Sequence, residues 1–156
     1  MKPVPHNSLT VLSMRSIYLA HTGNVPVQAA ISQYEKADET NFNLVISKTN
    51  AVFHGIFDTG ASCSVISERV AKQLALRKIN TATVYTAGGA VQQDCYVVNF
   101  VLPNNLVIPA RRVTAANLHG FDVLVGMDII SRGDFIISNR HGFLSVEFNL
   151  YIPYTR

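Results

Sequence analysis

Apolar residues recur in short blocks along this chain, and clusters of polar residues, glycine and proline separate the blocks. Every second position from 25 to 31 is apolar, which is typical of a strand, and Pro26 places that strand at a sheet edge or at its own start. Residues 42–47 and 51–57 are rich in β-forming residues, with a polar turn between them. The pattern therefore predicts a hairpin whose second strand ends at Asp58.

The second half of the chain repeats this alternation of β-rich runs and turns. Residues 81–86 and 91–102 flank the pair Gly88-Gly89, which predicts a projecting hairpin with both glycines at positive φ. Further β-rich segments lie at 106–108, where Pro109 stops the run, at 111–115, in a last hairpin of residues 134–138 and 143–148, and in an edge strand within 150–156.

Two segments carry helical signals instead. Ser67 is a good N-cap for a helix over 67–76, whose apolar residues fall on one face. A shorter helix is predicted over 126–132, with Gly133 just past its end. Many short strands with two short helices predict a mainly β fold, a small closed barrel or sandwich. We assign residues 25–156 to one domain and residues 1–24 to an N-terminal arm, either a short strand or a mobile segment.

Composition narrows the class of protein. A chain of 156 residues with 48% hydrophobic and 15% charged residues fits a single well-filled domain and excludes disorder. The net charge of +3 comes from scattered residues, so we expect no nucleic-acid partner. The absence of a long apolar run and of a good signal peptide favours a cytoplasmic protein that does not bind membranes. Cys63 and Cys95 are expected to be reduced thiols.

The strongest candidate for chemistry is Asp58, which follows an apolar run and precedes a slim turn of small residues. A carboxylate at the end of an apolar strand is costly unless it is hydrogen-bonded, paired or used. Asp-x-Gly is also an ordinary turn sequence, so the triplet alone leaves both interpretations open. The five histidines show no paired metal spacing, and no phosphate-binding loop is present. We therefore expect neither a metal nor a cofactor.

Three features occur in a fixed order along the chain. Asp58-Thr59-Gly60-Ala61-Ser62 ends an apolar strand, a Gly-Gly hairpin with Tyr85 before its tip follows, and Leu124-Val125-Gly126 leads into a short helix. Over residues 42–148 this order resembles the retropepsin-like aspartic proteases, the family of retroviral and retrotransposon proteases and their cellular and bacterial relatives. Met127-Asp128 stands where retroviral members tend to carry an arginine used in their dimer.

The resemblance implies a role for each motif. Asp58 would be the catalytic carboxylate, and the rest of its loop would hold it in place, with the Thr59 hydroxyl reaching the partner loop and Ser62 bonding near the carboxylate. A flap that closes over a peptide would comprise Tyr85, Thr86, Ala87, Gly88 and Gly89. The residues that pack beneath the catalytic loop would be Leu124, Val125 and Gly126.

Aspartic-protease chemistry requires two carboxylates at one site. This chain contains a single Asp-Thr-Gly, and none of its other five aspartates is followed by Thr-Gly or Ser-Gly. The sequence therefore predicts a homodimer in which each subunit supplies one Asp58. The substrate would be a peptide or protein, including the protein itself. The alternative is a non-catalytic peptide-binding or assembly module on the same fold.

Overall fold

The computed structural model describes residues 9–19, 24–49 and 51–153. These residues form ten strands and three α-helices, with short 3-10 turns at Lys36–Glu39 and Pro103–Asn105. The strands are β1 Leu9–Leu19, β2 Val25–Gln33, β3 Val52–Phe57, β4 Val65–Ser67, β5 Asn80–Thr86, β6 Gly89–Leu102, β7 Leu106–Ala116, β8 Val123–Val125, β9 Gly133–Arg140 and β10 Phe143–Pro153. The helices are α1 Phe42–Lys48, α2 Glu68–Gln73 and α3 Met127–Ile130. The predicted mainly β fold is confirmed.

Seven strands form the main sheet, in the order β2-β3-β8-β4-β7-β6-β5. β2 also pairs with β6, so the sheet curls back on itself into a small barrel. The pairs β3–β8 and β4–β7 are parallel. In the first of these, Phe57 lies opposite Val125. The residues that follow the two strands, Asp58 and Gly126, therefore leave the sheet side by side.

The remaining strands form a separate antiparallel sheet in the order β1-β10-β9. β1 pairs with β10 along its whole length, from Leu9 opposite Pro153 to Leu19 opposite Phe143. The part of the predicted arm that the structure describes is thus a strand, longer than the short one considered from sequence. Residues 1–8 and 20–23 lie outside the described residues, and the division of the chain at residue 24 stays a prediction.

The two sheets share one core. Met14 and Phe148 are fully buried on the inner face of the smaller sheet. The Phe135 ring lies 4.7 Å from the Phe57 ring and 6.2 Å from the Phe148 ring, centroid to centroid. Phe57 is the residue directly before Asp58, so this aromatic cluster supports the candidate catalytic loop from behind.

The predicted strand at 42–47 is wrong, because the segment is helix α1. The Asn41 side chain caps the helix by accepting a hydrogen bond of 3.1 Å from the Leu44 amide. Val45 is fully buried in a small cluster with apolar side chains of β2, β6 and β7. Packing one helical face against the barrel thus outweighs the β preference of this segment, a preference that depends strongly on context. β3 pairs with β2 and β8 instead.

Pro109 does not end a strand, since β7 continues through it. Ala110 adopts a φ of 55°, and its amide donates to Asn99 Oδ1 at 3.3 Å. The register of the facing strand shifts between Val98 and Phe100, which marks a bulge. Irregular backbone on both strands therefore accommodates the proline within one continuous ladder.

A buried carboxylate fastens the segment before β3 to the barrel. Asp38 is fully buried and forms an ion pair of 2.6 Å with Lys48 Nζ. It also accepts hydrogen bonds from the Glu35 amide at 2.7 Å and from Asn99 Nδ2 at 3.0 Å. Burial opposes ionisation, but Lys48 and these two donors outweigh it and lower the pKa of Asp38.

Candidate active site

Asp58 is held by backbone contacts on both sides. Its amide donates to the Val125 carbonyl at 2.9 Å, which continues the β3–β8 pairing by one residue. Its Oδ1 accepts a hydrogen bond of 2.8 Å from the Gly60 amide, and its carbonyl accepts one of 3.2 Å from the Ala61 amide. Asp58 as a residue is partly buried. The loop therefore fixes the carboxylate at the strand end while leaving part of it open to a reactant.

The other residues of the loop have different surroundings. A Cβ on Gly60 would lie 3.2 Å from Asp58 Oδ1, so glycine permits the close approach of amide and carboxylate. The side chains of Thr59 and Ser62 are exposed, and within the described residues of one chain they make no hydrogen bond. The predicted reach of Thr59 to a partner loop and the predicted contact of Ser62 near the carboxylate stay predictions.

Gly126 lies directly beneath the Asp58 loop. A Cβ at this position would be 2.7 Å from the Cys63 carbonyl carbon and oxygen and 2.9 Å from the Ala61 carbonyl oxygen. That carbonyl of Ala61 accepts a hydrogen bond of 2.8 Å from the Met127 amide. The first residues of α3 and the loop are thus in backbone contact, which only glycine at 126 allows. Leu124 and Val125, which are also predicted to pack beneath this loop, belong to β8, and that role stays a prediction.

A buried serine ties the loop to α3, and the sequence analysis missed it. Ser64 is fully buried; its Oγ donates to Asp128 Oδ1 at 2.8 Å and accepts from the Gly126 amide at 3.0 Å. The sequence offered a weak signal, a serine within an apolar run and an aspartate in the first turn of a helix. Only the fold shows that these two side chains meet.

Asp122 forms a second polar cluster, four residues before Gly126. It accepts a hydrogen bond of 2.8 Å from Ser67 Oγ and is paired with the Arg69 guanidinium. Hydrogen bonding to Arg69 is the main cause of its lowered pKa, while partial burial opposes the shift. Its amide donates to the His54 carbonyl at 2.8 Å. Asp122 therefore lies at the opposite end of the β3–β8 pair from Asp58 and anchors the start of β8.

The remaining aspartates are also engaged away from Asp58. Asp38 pairs with Lys48, Asp94 pairs with Lys78 at 2.7 Å, and Asp134 accepts from the Tyr151 hydroxyl. Together with Asp122 and Asp128, these account for every other aspartate of the chain. One chain thus presents a single aspartate in a loop of this type.

The β5–β6 hairpin projects from the rest of the domain, and the residues at its tip are exposed. Thr86 lies opposite Gly89, and the Thr86 Oγ1 closes the turn by accepting from the Gly88 amide at 3.2 Å and donating to the Gly89 carbonyl at 3.0 Å. Gly89 has a φ of 113°, whereas Gly88 is not in the positive region, so only one glycine conforms to the expectation. The Tyr85 side chain is 84% exposed. The predicted flap residues therefore form the tip and arms of a projecting hairpin.

A groove of about 750 Å³ runs between α2 and the base of this hairpin. Leu76, Gln93 and Tyr96 are among its lining residues, and Asp58 is not.

Among the described residues, no group of three or more His, Cys, Asp or Glu side chains is placed to hold a metal ion. No helix in the described ranges is long and apolar enough to cross a membrane.

The comparison with protein families agrees with this geometry. Residues 45–132, more than half of the chain, match the family described as "gag-polyprotein putative aspartyl protease". The chain belongs to this family of retropepsin-like aspartic proteases. The matched segment contains the Asp58 loop, the β5–β6 hairpin and the Gly126 element. No curated protein matches the chain.

Solved structures share the fold at low sequence identity. A retropepsin-like aspartic protease from Rickettsia conorii is 15% identical, with a TM-score of 0.57, over 92% of this chain and 98% of that chain. The EIAV protease complexed with the inhibitor HBY-793 is 19% identical, with a TM-score of 0.50, over 69% of this chain and 86% of that chain. These similarities establish the common fold.

Proposed function

We propose that this protein is an aspartic endopeptidase that acts as a homodimer and hydrolyses peptide bonds with water. The observation that carries the proposal is the geometry of Asp58 in a member of an aspartyl protease family: its carboxylate accepts a hydrogen bond of 2.8 Å from the Gly60 amide at the end of β3. Each chain has one such loop, so the second carboxylate comes from Asp58 of a second copy.

The reaction uses the two Asp58 carboxyl groups in different protonation states. Carboxylates about 3 Å apart share one proton, because both cannot readily be ionised at once. The ionised group removes a proton from a water molecule, and the protonated group polarises the carbonyl of the bond to be cleaved. The bond from Gly60 to Oδ1 holds each carboxylate in position, which saves the cost of orienting it during the reaction.

The substrate is an extended segment of peptide or protein, including the chain itself. An extended peptide can pair with the open strands of the β5–β6 hairpin through backbone hydrogen bonds. The exposed Tyr85 at the tip then covers the substrate and excludes water when the hairpin closes. The two free thiols, Cys63 and Cys95, support a cytoplasmic location.

The test compares Asp58→Asn with Glu147→Gln on casein at mildly acidic pH. Glu147 is a carboxylate residue on β10 of the smaller sheet, so its substitution makes the same chemical change away from both the Asp58 loop and the hairpin. We expect the Asp58 variant to lose cleavage and keep its fold, and the Glu147 variant to cleave near the wild-type rate. Activity per milligram of wild type should also fall on dilution. Near wild-type cleavage by Asp58→Asn would contradict the proposal and favour a non-catalytic module.

A further inference from the structure

The groove between α2 and the β5–β6 hairpin has no part in the proposed reaction. Its volume of about 750 Å³ lies within the range of about 300–1,000 Å³ that is usual for ligand sites. One wall is α2 with the residues that follow it, and the facing wall is formed by residues of β6 between Val91 and Tyr96. Val91 is two residues from Gly89 at the hairpin tip. The groove therefore follows the hairpin from near its tip to its base.

Several polar side chains that line this groove have no hydrogen-bond partner. Gln93 Oε1 is buried and accepts no hydrogen bond from any described residue. Within the same part of the chain, Gln93 Nε2, the Tyr96 hydroxyl and the Asn117 side chain also make no hydrogen bond. A buried acceptor without a donor is costly, so the Gln93 carboxamide gains from any ligand that supplies one. The groove thus carries hydrogen-bonding groups that folding leaves unused.

The charges around the groove balance each other. Glu68 and Lys72, one of each sign, are both exposed on α2, and Asp94 is paired with Lys78 at 2.7 Å. A site without net charge favours an uncharged ligand over an anion or a strongly basic segment. Burial, together with the negative charges of Asp94 and Glu68, raises the pKa of Tyr96. Its hydroxyl therefore keeps its proton and can donate to a ligand.

These unused groups match the backbone of an extended peptide. A carboxamide has both donor and acceptor atoms, so it can bond the C=O and the N–H groups of a peptide backbone. Gln93 and Asn117 supply two carboxamides, and Tyr96 adds a hydroxyl. Ala71 and Leu76 give the α2 side of the groove an apolar surface for a side chain. The lining therefore suits a peptide segment with uncharged side chains.

We propose that this groove is an exosite, a second binding site for an uncharged, extended segment of the protein substrate that lies away from the bond to be cleaved. The inference rests on the proposed function, because the segment belongs to the chain that Asp58 cleaves. A substrate beneath the hairpin can continue into a groove that follows the same hairpin. Since one chain occupies both sites, the second site binds at a high effective concentration, and individually weak contacts there suffice.

Kinetics with a long and a short substrate test the exosite. Gln93→Leu removes the unused carboxamide at similar volume and breaks no hydrogen bond of the side chain, so the thermal midpoint should stay the same or rise. Its KM for casein should rise about fivefold with kcat unchanged. Both constants should stay at wild-type values for the shortest casein peptide that is still cleaved. The matched control is Gln73→Leu, on α2 but outside the groove lining, which should behave as wild type on both substrates.

Two kinetic results would overturn the exosite: an unchanged KM for casein, or an equal rise in KM for the short peptide. Binding of labelled casein to Asp58→Asn, with and without Gln93→Leu, separates this inference from the proposed function because it requires no cleavage. A loss of affinity of about fivefold would support the groove as a peptide site even if the wild type cleaved nothing, which would refute the proposed function alone. Cleavage through Asp58 without any such loss would overturn the exosite and leave the proposed function standing.

Discussion

If Asp58 is catalytic as proposed, Gly126→Ala should affect cleavage through the geometry of the Asp58 loop more than through general stability. The added Cβ would lie 2.7 Å from the Cys63 carbonyl group and 2.9 Å from the Ala61 oxygen, all backbone atoms that cannot rotate away. Ordinary van der Waals contact begins near 3.4 Å, so the Ala61–Cys63 backbone must move about 0.7 Å away from residue 126. The loop that moves is the one that carries Asp58.

The expected losses of stability and of cleavage rate both follow from this steric overlap. Overpacking of a well-packed site costs about 1–3 kcal/mol. At about 2–4 °C per kcal/mol for a chain of this length, the thermal midpoint should fall by several degrees. A misplacement of about 1 Å can lower a catalysed rate by about a hundredfold. We therefore expect cleavage per folded molecule to fall by at least about tenfold.

The matched control is Gly55→Ala, on the same pair of strands. Its Cβ would meet the Val123 oxygen at 2.5 Å, so the clash is at least as severe, but it lies three residues before Asp58. Thermal unfolding and casein cleavage, with the rate divided by the folded fraction, are measured for both variants. Gly55→Ala should be destabilised at least as much and keep the higher specific activity. Equal specific activities in the two variants would refute the reasoning.

Three further predictions concern other parts of the fold. Of the two glycines at the hairpin tip only Gly89 has a positive φ, so Gly89→Val should slow cleavage. Gly88→Ala, whose Cβ would have its nearest neighbour at 3.7 Å, should cleave near the wild-type rate in steady-state assays. Because folding lowers the pKa of Asp38, its ionised carboxylate stabilises the fold fully above about pH 4, and this contribution is lost as the pH falls through the folded pKa. In urea melts the free energy of unfolding of wild type should therefore decline on the acid side, and it should decline less in Asp38→Asn. Ser64→Ala leaves Asp128 and an amide without their shared partner and should cost about 1–3 kcal/mol, with kcat reduced more than KM is raised; unchanged kinetics would argue against a positioning role.

Local sequence patterns were sufficient for the features that depend on neighbours along the chain. The Asp58 loop, the Ser67 cap of α2 and the Gly-Gly hairpin are each built within a few residues, so turn chemistry and periodicity predict them. The order of these motifs was enough to indicate the family. The mainly β class follows in the same way from many short apolar runs.

Tertiary structure decided the features that join distant residues. Whether 42–48 is a strand or a helix depends on the apolar surface that Val45 meets on the barrel, which no local pattern contains. The bond from Ser64 to Asp128 spans 64 positions, and the burial of Asp38 depends on Asn99, 61 positions away. Burial and long-range hydrogen bonds arise only when segments pack, and their energy then overrides weak local preferences. The sequence therefore indicated the candidate carboxylate, while the packed chain decided which contacts hold it.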